Sequence, residues 1–346
     1  MKNLTALHLG ALAVAAVDGL ESVGANLISQ SADFASGTVL DSKGRKWTVK
    51  VPLTAQAATT LEAEVSLAPQ MLEQLRAGNL NFDVIRPAGF AKSGFGRALV
   101  FPRPIGKMRD FAALDSDGAH EMGRTLATLH SLPHSTIDNA GLPVYTPSAW
   151  RRRLLTELHD IEAAATIPPI LRRRWENAFE SEALWEFEPV VVHGDVAPEN
   201  FLWSEGSVTC VLGMGEAHVG DPAVDFAMLL SDVDEDHFDA VLESYSNSRD
   251  VDDNFFNRAM LMSEFALARW LMFGVRTGDN EIKLEAGDML IALAEEVEND
   301  PELAVGPTWK VDPEPVAESD VLDVLSSPED ADELPATGAP AWLTEK

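Results

Sequence analysis

The sequence predicts an α+β chain of two lobes, a small β-rich first lobe and a larger, mostly helical second one. Three observations carry that expectation. Short β-rich runs separated by polar turns fill residues 20–55 and return near 82–104. From Ala112 onward a helical period dominates. Between the helices two phrases, VVVHGDVAPENF and VLGMGEAHVGDPAVDF, sit on short strand-like runs. At 346 residues the chain can hold two lobes sharing a cleft. The expected divisions are residues 1–104, residues 105–300 and an acidic, Pro-rich tail over 301–346.

The N-terminal MKNLTALHLGALAVAAVDGL has a lysine before an apolar run, as a signal peptide does, but His8 interrupts the run. Leu4, Leu7, Leu9, Leu12 and Val14 instead fit an amphipathic helix leading into the fold. Next come GANLISQS and SGTVLD, then the turn DSKGRK with Gly44, then WTVKVP, which together predict a hairpin. AQAATTLEAEVSLAPQMLEQLRA reads as helix, with Pro69 a kink or a boundary. Two strands follow, around FDVIRPAGF and RALVFPRP.

In the second lobe GAHEMGRTLATLHSLP places Met122, Leu126 and Leu129 on one helix face and stops at Pro133. SAWRRRLLTELHDIEAAA and LRRRWENAFESEALWEF predict two further helices. Strands return at PVVVHGD, FLWS and VTCVLG, and helices occupy 222–299. Of these, NRAMLMSEFALARWLMFGV is apolar nearly all round, the pattern of a buried helix. The tail is rich in Pro, Asp and Glu and is expected to be mostly disordered, with VLDVLSS as a short docking helix. Its LPATG spells a cell-wall sorting signal, but no apolar span and basic end follow, so the match is read as chance.

The 46% hydrophobic and 24% charged content is that of a soluble globular protein. A formal charge of −30 repels phosphate backbones and anionic lipid, which argues against nucleic acid and membrane surfaces as partners. The same charge attracts cationic small molecules, although solubility alone accounts for it more simply. The single cysteine, Cys210, excludes an intramolecular disulfide and any zinc site built on several thiolates. No apolar run reaches the roughly 18–20 residues a bilayer requires, and the absence of a convincing signal leads to the expectation of a cytoplasmic location.

His193, Gly194 and Asp195, followed by Asn200, form an H-G-D pattern with an Asn five residues after the Asp. In a kinase-type site such an Asp accepts or orients the proton of the attacking hydroxyl, and the Asn oxygen reaches a magnesium ion. The plainer alternative is a sharp turn in which both side chains bond the backbone. On VVVHGDVAPENFL, EAHVGDPAVDFA and MGRTLATLHSLP, the chain resembles the aminoglycoside phosphotransferase superfamily, with its protein-kinase-like fold, and within it most resembles the macrolide phosphotransferase branch.

That resemblance implies transfer of the γ-phosphoryl group of ATP or GTP to a hydroxyl of a small-molecule acceptor, macrolide or aminoglycoside-like and cationic. It implies Asp195 as catalytic base, Asn200 as metal ligand and Lys50 as the phosphate-binding lysine. Glu64 is the implied helix partner of Lys50, with Glu62 the alternative one register away. The connection LVFPRPIGK would hold the base edge through its backbone. His193 and Gly194 would shape the loop, and Asp221 and Asp225 would brace it. Glu264, Arg269 and Trp270 would line the acceptor pocket or serve the core.

Two departures stand out. The phosphate-covering segment, SQSADFASG, contains only Gly37. Gly213, in Val211-Leu212-Gly213, stands where the family has its principal magnesium-binding Asp. A weakened Mg2+ site is therefore expected, with Glu216 a poor substitute because relatives with an intact Asp also carry an acid there. Two functions follow: a phosphotransferase slowed by Gly213, or a pseudokinase that binds nucleotide or ligand, or acts as a scaffold, without turnover.

Overall fold

The computed structural model of the chain describes residues 4–300; the readings of VLDVLSS and LPATG lie outside the described residues. The first lobe opens with helix α1 (Ala6–Ala16), followed by β1 (Ser22–Gln30), β2 (Phe34–Asp41), β3 (Lys46–Pro52), helix α2 (Ala55–Arg76), β4 (Gly89–Lys92) and β5 (Arg97–Pro102). The five strands form one antiparallel sheet in the order β1-β2-β3-β5-β4. FDVIRPAGF contributes a strand only from Gly89.

Helix α1 lies on this sheet through part of the expected set: Leu4, Leu9 and Leu12 pack there, Leu7 and Val14 do not. Leu9 and Ala13, one turn apart, are fully buried among Val39, Val49 and Val100, while Leu7 is 85% exposed and Val14 half exposed. Leu7 stands about 200° around a 3.6-residue helix from Leu9, so the two cannot share a face.

Helix α2 begins at Thr54, whose side chain accepts the Ala57 N–H at 3.1 Å, and continues unbroken through Pro69. The ring removes one backbone donor. The helix holds because Leu61, Glu64, Leu67, Ala68 and Met71 form a continuous buried face on both sides of it.

The second lobe contains β6 (Lys107–Met108), α3 (Ser116–His130), α4 (Ser135–Asp138), α5 (Pro147–Ala164), α6 (Pro169–Glu180), β7 (Val190–Val192), β8 (Phe201–Ser204), β9 (Ser207–Val211), β10 (His218–Gly220), α7 (Ala227–Asp232), α8 (Glu235–Ser246), α9 (Phe255–Thr277) and α10 (Asn280–Asn299). Small ladders β6-β8-β9 and β7-β10 carry the two motif phrases. β10 was not expected from sequence; it is three residues long, and its pairing with β7 defines it.

Two cores stabilise this lobe. One joins α3 and α8 through Met122, Leu126, Phe226 and Tyr245, and the other joins α5, α6, α9 and α10 through Leu158, Trp175, Phe265 and Leu290. Helix α6 ends at Glu180, short of its expected extent, because Leu184 and Trp185 fold back as a tight turn. The Trp185 indole N–H donates to the Ala178 carbonyl at 2.9 Å. No helix among the described residues is long and apolar enough to cross a membrane.

Candidate active site between the lobes

Strand β7 is entirely buried and delivers His193, Gly194 and Asp195 to the cleft. The backbone of that turn is held from below. Asp225 accepts the N–H groups of His193 at 2.7 Å and Gly194 at 2.8 Å, and lies 3.0 Å from His130 Nε2. His130 in turn meets the Tyr245 hydroxyl at 2.9 Å. Burial by itself would push the Asp225 carboxyl up; the hydrogen bond and charge of His130 outweigh it and hold the group below the usual carboxylate range.

Gly194 has φ 79°, and a Cβ there would collide with the Glu216 carbonyl, so the turn requires glycine. His193 Nε2 sits 2.7 Å from the Leu212 carbonyl and Nδ1 accepts the Asp195 N–H at 3.2 Å, which assigns the ring proton to Nε2. The outcome is an exposed Asp195 carboxylate on a rigid backbone. Asp221 caps the next turn through the Ala223 N–H at 3.0 Å and is paired with buried Arg258 at 2.7 Å.

At the first-lobe side Lys50 Nζ donates to Glu64 Oε2 at 2.8 Å and lies 4.8 Å from the Phe34 ring centroid. The register places Glu64 on the buried face; Glu62 instead pairs with Arg97 on the outer one. Glu64 Oε1 accepts the Gly213 N–H at 2.9 Å, so one carboxylate ties the lysine strand to the second motif. Gly37 is not a loop glycine. It lies inside β2, where a Cβ would collide with the Asn26 carbonyl and Leu9, while the β1–β2 turn itself carries Asp33, held by the Thr54 hydroxyl at 2.7 Å.

Asn200 follows the loop and is buried, its Nδ2 donating to the Asp195 carbonyl at 2.9 Å and to Asp195 Oδ2 at 3.2 Å. Asp195 and Asn200 are thus together, and Lys50 and Glu64 are together. A magnesium ion held between protein and phosphates needs one or two carboxylates. The residues around position 213 do not supply them, and the carboxylates left at the cavity include Asp195 and Glu216. Position 213 has no carboxylate, both Glu64 oxygens are engaged, and among the described residues no group of three His, Cys, Asp or Glu side chains is placed to hold a metal.

Asp195 opens on a cavity of about 730 Å³. Its walls include Phe34 and Thr60 from the first lobe, Tyr145, Trp150 and Arg153 around α5, and Arg269 from α9. Arg269 forms a two-pronged pair with Glu157 at 2.7 and 2.9 Å. Of its expected companions, Glu264 is buried in the core against Arg174 at 2.9 and 2.7 Å, and Trp270 is not part of the cavity lining but stacks on Phe273, which is.

Glu216 lies beside Asp195 and accepts the Thr60 hydroxyl at 3.1 Å. Its carboxylate keeps solvent contact through the cavity, yet enclosure by the walls, with the Asp195 charge adding to it, raises its pKa above the ordinary value. His218 stacks on Trp150 at 4.8 Å and donates Nδ1–H to the Glu216 carbonyl at 2.8 Å; burial lowers its pKa and keeps the ring neutral. Tyr145, Trp150, Arg153 and His218 carry no spacing signature, because segments far apart in sequence form this wall.

A family model described as "Phosphotransferase enzyme family" matches residues 25–257. Among solved structures, the macrolide 2'-phosphotransferase MphH from Brachybacterium faecium, as apoenzyme, is 21% identical with a TM-score of 0.65, covering 78% of this chain and 93% of that one. A macrolide 2'-phosphotransferase type I is 20% identical with a TM-score of 0.69, covering 84% and 99%. The GDP and kanamycin complex of APH(2")-IIia is 21% identical with a TM-score of 0.69, covering 85% and 99%. These likenesses are of fold, and that fold is protein-kinase-like. The uncharacterized protein YcbJ of Bacillus subtilis is 27% identical over 133 residues, which span 38% of this chain and 44% of that relative.

Proposed function

The chain belongs to the phosphotransferase enzyme family, and from that premise we propose that it moves the γ-phosphoryl group of ATP or GTP to a hydroxyl of a small molecule of the macrolide or aminoglycoside kind. The observation that carries this reading is Asp195, whose carboxylate faces the cavity from a backbone fixed by Asp225. Asp195 takes or orients the acceptor's hydroxyl proton while the acceptor oxygen bonds to phosphorus. The bond from that phosphorus to the bridging oxygen breaks, and nucleoside diphosphate leaves. Lys50, oriented by Glu64, balances phosphate charge, and the backbone of residues 99–107 holds the base edge.

The cavity supports a cationic acceptor with an apolar body. Asp33, Glu157, Asp160, Asp195 and Glu216 outnumber Arg153, Arg269 and Arg276, and Tyr145, Trp150 and Phe34 offer ring faces. The need for nucleotide supports a cytoplasmic location. The test is phosphorylation of a panel of hydroxylated acceptors with ATP and with GTP. Asp195→Asn is expected to lower kcat by about 10²–10⁴-fold, the range of a lost general base. Absence of turnover across the panel with both nucleotides sinks the reading.

A second reading, a nucleotide- or ligand-binding protein without turnover, is favoured by one observation, the absence of a carboxylate at Gly213. Metal stabilisation of transition-state charge is worth several kcal/mol. A loss of about 3–5 kcal/mol slows transfer by roughly two to four orders of magnitude. A nucleotide-induced rise in melting temperature without phosphorylated product distinguishes this reading from the first.

A further inference from the structure

Gly213 has φ 72° and ψ 20°, in the left-handed region. A Cβ at this position would lie 2.7 Å from Asn200 Nδ2 and closer still to its Oδ1 and Cγ, so the whole Asn200 amide occupies the volume that a side chain at 213 would need. The amide is also oriented. Its NH2 group faces two acceptors on Asp195, the carbonyl at 2.9 Å and Oδ2 at 3.2 Å. Only the nitrogen end can satisfy both. The neighbouring backbone keeps the pair in register, with the Leu212 N–H donating to the Asn200 carbonyl at 2.8 Å and the Gly213 N–H to Glu64 at 2.9 Å.

We propose that Asn200, seated in the space left by Gly213, is a positioning residue that braces Asp195 by hydrogen bonds, and that nucleotide is taken up here independently of magnesium. This rests on the nucleotide site of the proposed function. The brace and a carboxylate at 213 are mutually exclusive in this arrangement, because they claim the same volume. Glu64, the carboxylate on the Gly213 N–H, has its other oxygen on Lys50. Phosphate charge is then met by Lys50 and backbone N–H groups, with no ion bridging protein to phosphate.

The experiment is calorimetric titration of the full chain with ADP, ATP and GTP, each in excess magnesium and in EDTA. Dissociation constants within about twofold of each other in the two media are expected; tightening of about tenfold or more by magnesium, 1.4 kcal/mol, overturns the proposal alone. If no nucleotide binds in either medium, the functional reading falls together with it.

Two variants separate brace from ligand. A metal ligand tolerates Asn200→Asp, which would keep its melting temperature and gain a magnesium-dependent rise. A brace does not, because the substitution removes the donor and sets a carboxylate against two Asp195 oxygens. Asn200→Asp is therefore expected to melt lower, unrescued by magnesium. Asn200→Ala is expected to lower kcat with nucleotide affinity unchanged, and loss of nucleotide affinity in Asn200→Ala counts against the brace.

Discussion

Glu64 and Glu62 are two residues apart on one helix, and their environments are opposite. Glu64 is 5% exposed and holds both Lys50 and the Gly213 N–H, whereas Glu62 meets Arg97 at the surface. Glu64→Ala leaves a buried N–H without an acceptor, a loss of about 1–3 kcal/mol. It also unfastens Lys50, so both a lower melting temperature and weaker nucleotide binding are expected. Glu62→Ala removes only an exposed pair, worth about 0–1 kcal/mol, and nucleotide binding is expected to be unchanged. Equal effects from the two substitutions would contradict this assignment. The sequence left the choice between Glu62 and Glu64 open, because either glutamate is an ordinary helix residue. What separates them is which one β3 and the second motif converge upon.

Among the elements, α3 and α8 are pressed together at Gly123, where a Cβ would strike the Val241 carbonyl and lie 3.0 Å from Ser244 Cβ. The Ser244 hydroxyl donates to the His120 carbonyl at 2.7 Å across the same contact. Gly123→Ala would raise helix propensity, yet overpacking here is expected to cost about 1–3 kcal/mol, read as a fall in melting temperature. His130, at the end of α3, reaches Asp225, so the expected fall should be accompanied by reduced turnover if the catalytic turn shifts with the helix. The motif MGRTLATLHSLP was legible as a helix by its apolar period. Its role in supporting the loop was not, because the His130–Asp225 hydrogen bond joins residues 95 positions apart.

For the whole molecule, one consequence of assembly is a pH dependence centred on His218. Burial between Trp150 and the Glu216 turn lowers its pKa from the ordinary 6.5, so the unfolded chain takes up the proton first as pH falls. The associated stability is complete above pH 6.5 and is lost as pH falls from there toward the lowered folded value. His218→Gln should abolish that part of the melting-temperature profile between pH 8 and pH 5. A profile unchanged by the substitution would overturn the assignment. Asp225 acts in a lower window. Its depressed pKa contributes stability present above the ordinary carboxylate value and lost in stronger acid.

The sequence by itself determined the two-lobe α+β architecture and most of the order of elements, because hydrophobic period, turn residues and Pro stops are local properties. It also determined the family, through the spacing of His193, Gly194, Asp195 and Asn200 and the GDPAVDF phrase. Tertiary structure decided what those residues touch. It chose Glu64 over Glu62, moved Gly37 from phosphate loop to strand packing, sent Glu264 into the core and built the cavity wall from α5, α9 and β10. It also revealed that Gly213 is more than a missing carboxylate, since the Asn200 amide fills its space and bonds to Asp195. Contacts of this kind depend on which distant segments meet and on the volume left between them, and no local pattern in the chain encodes either.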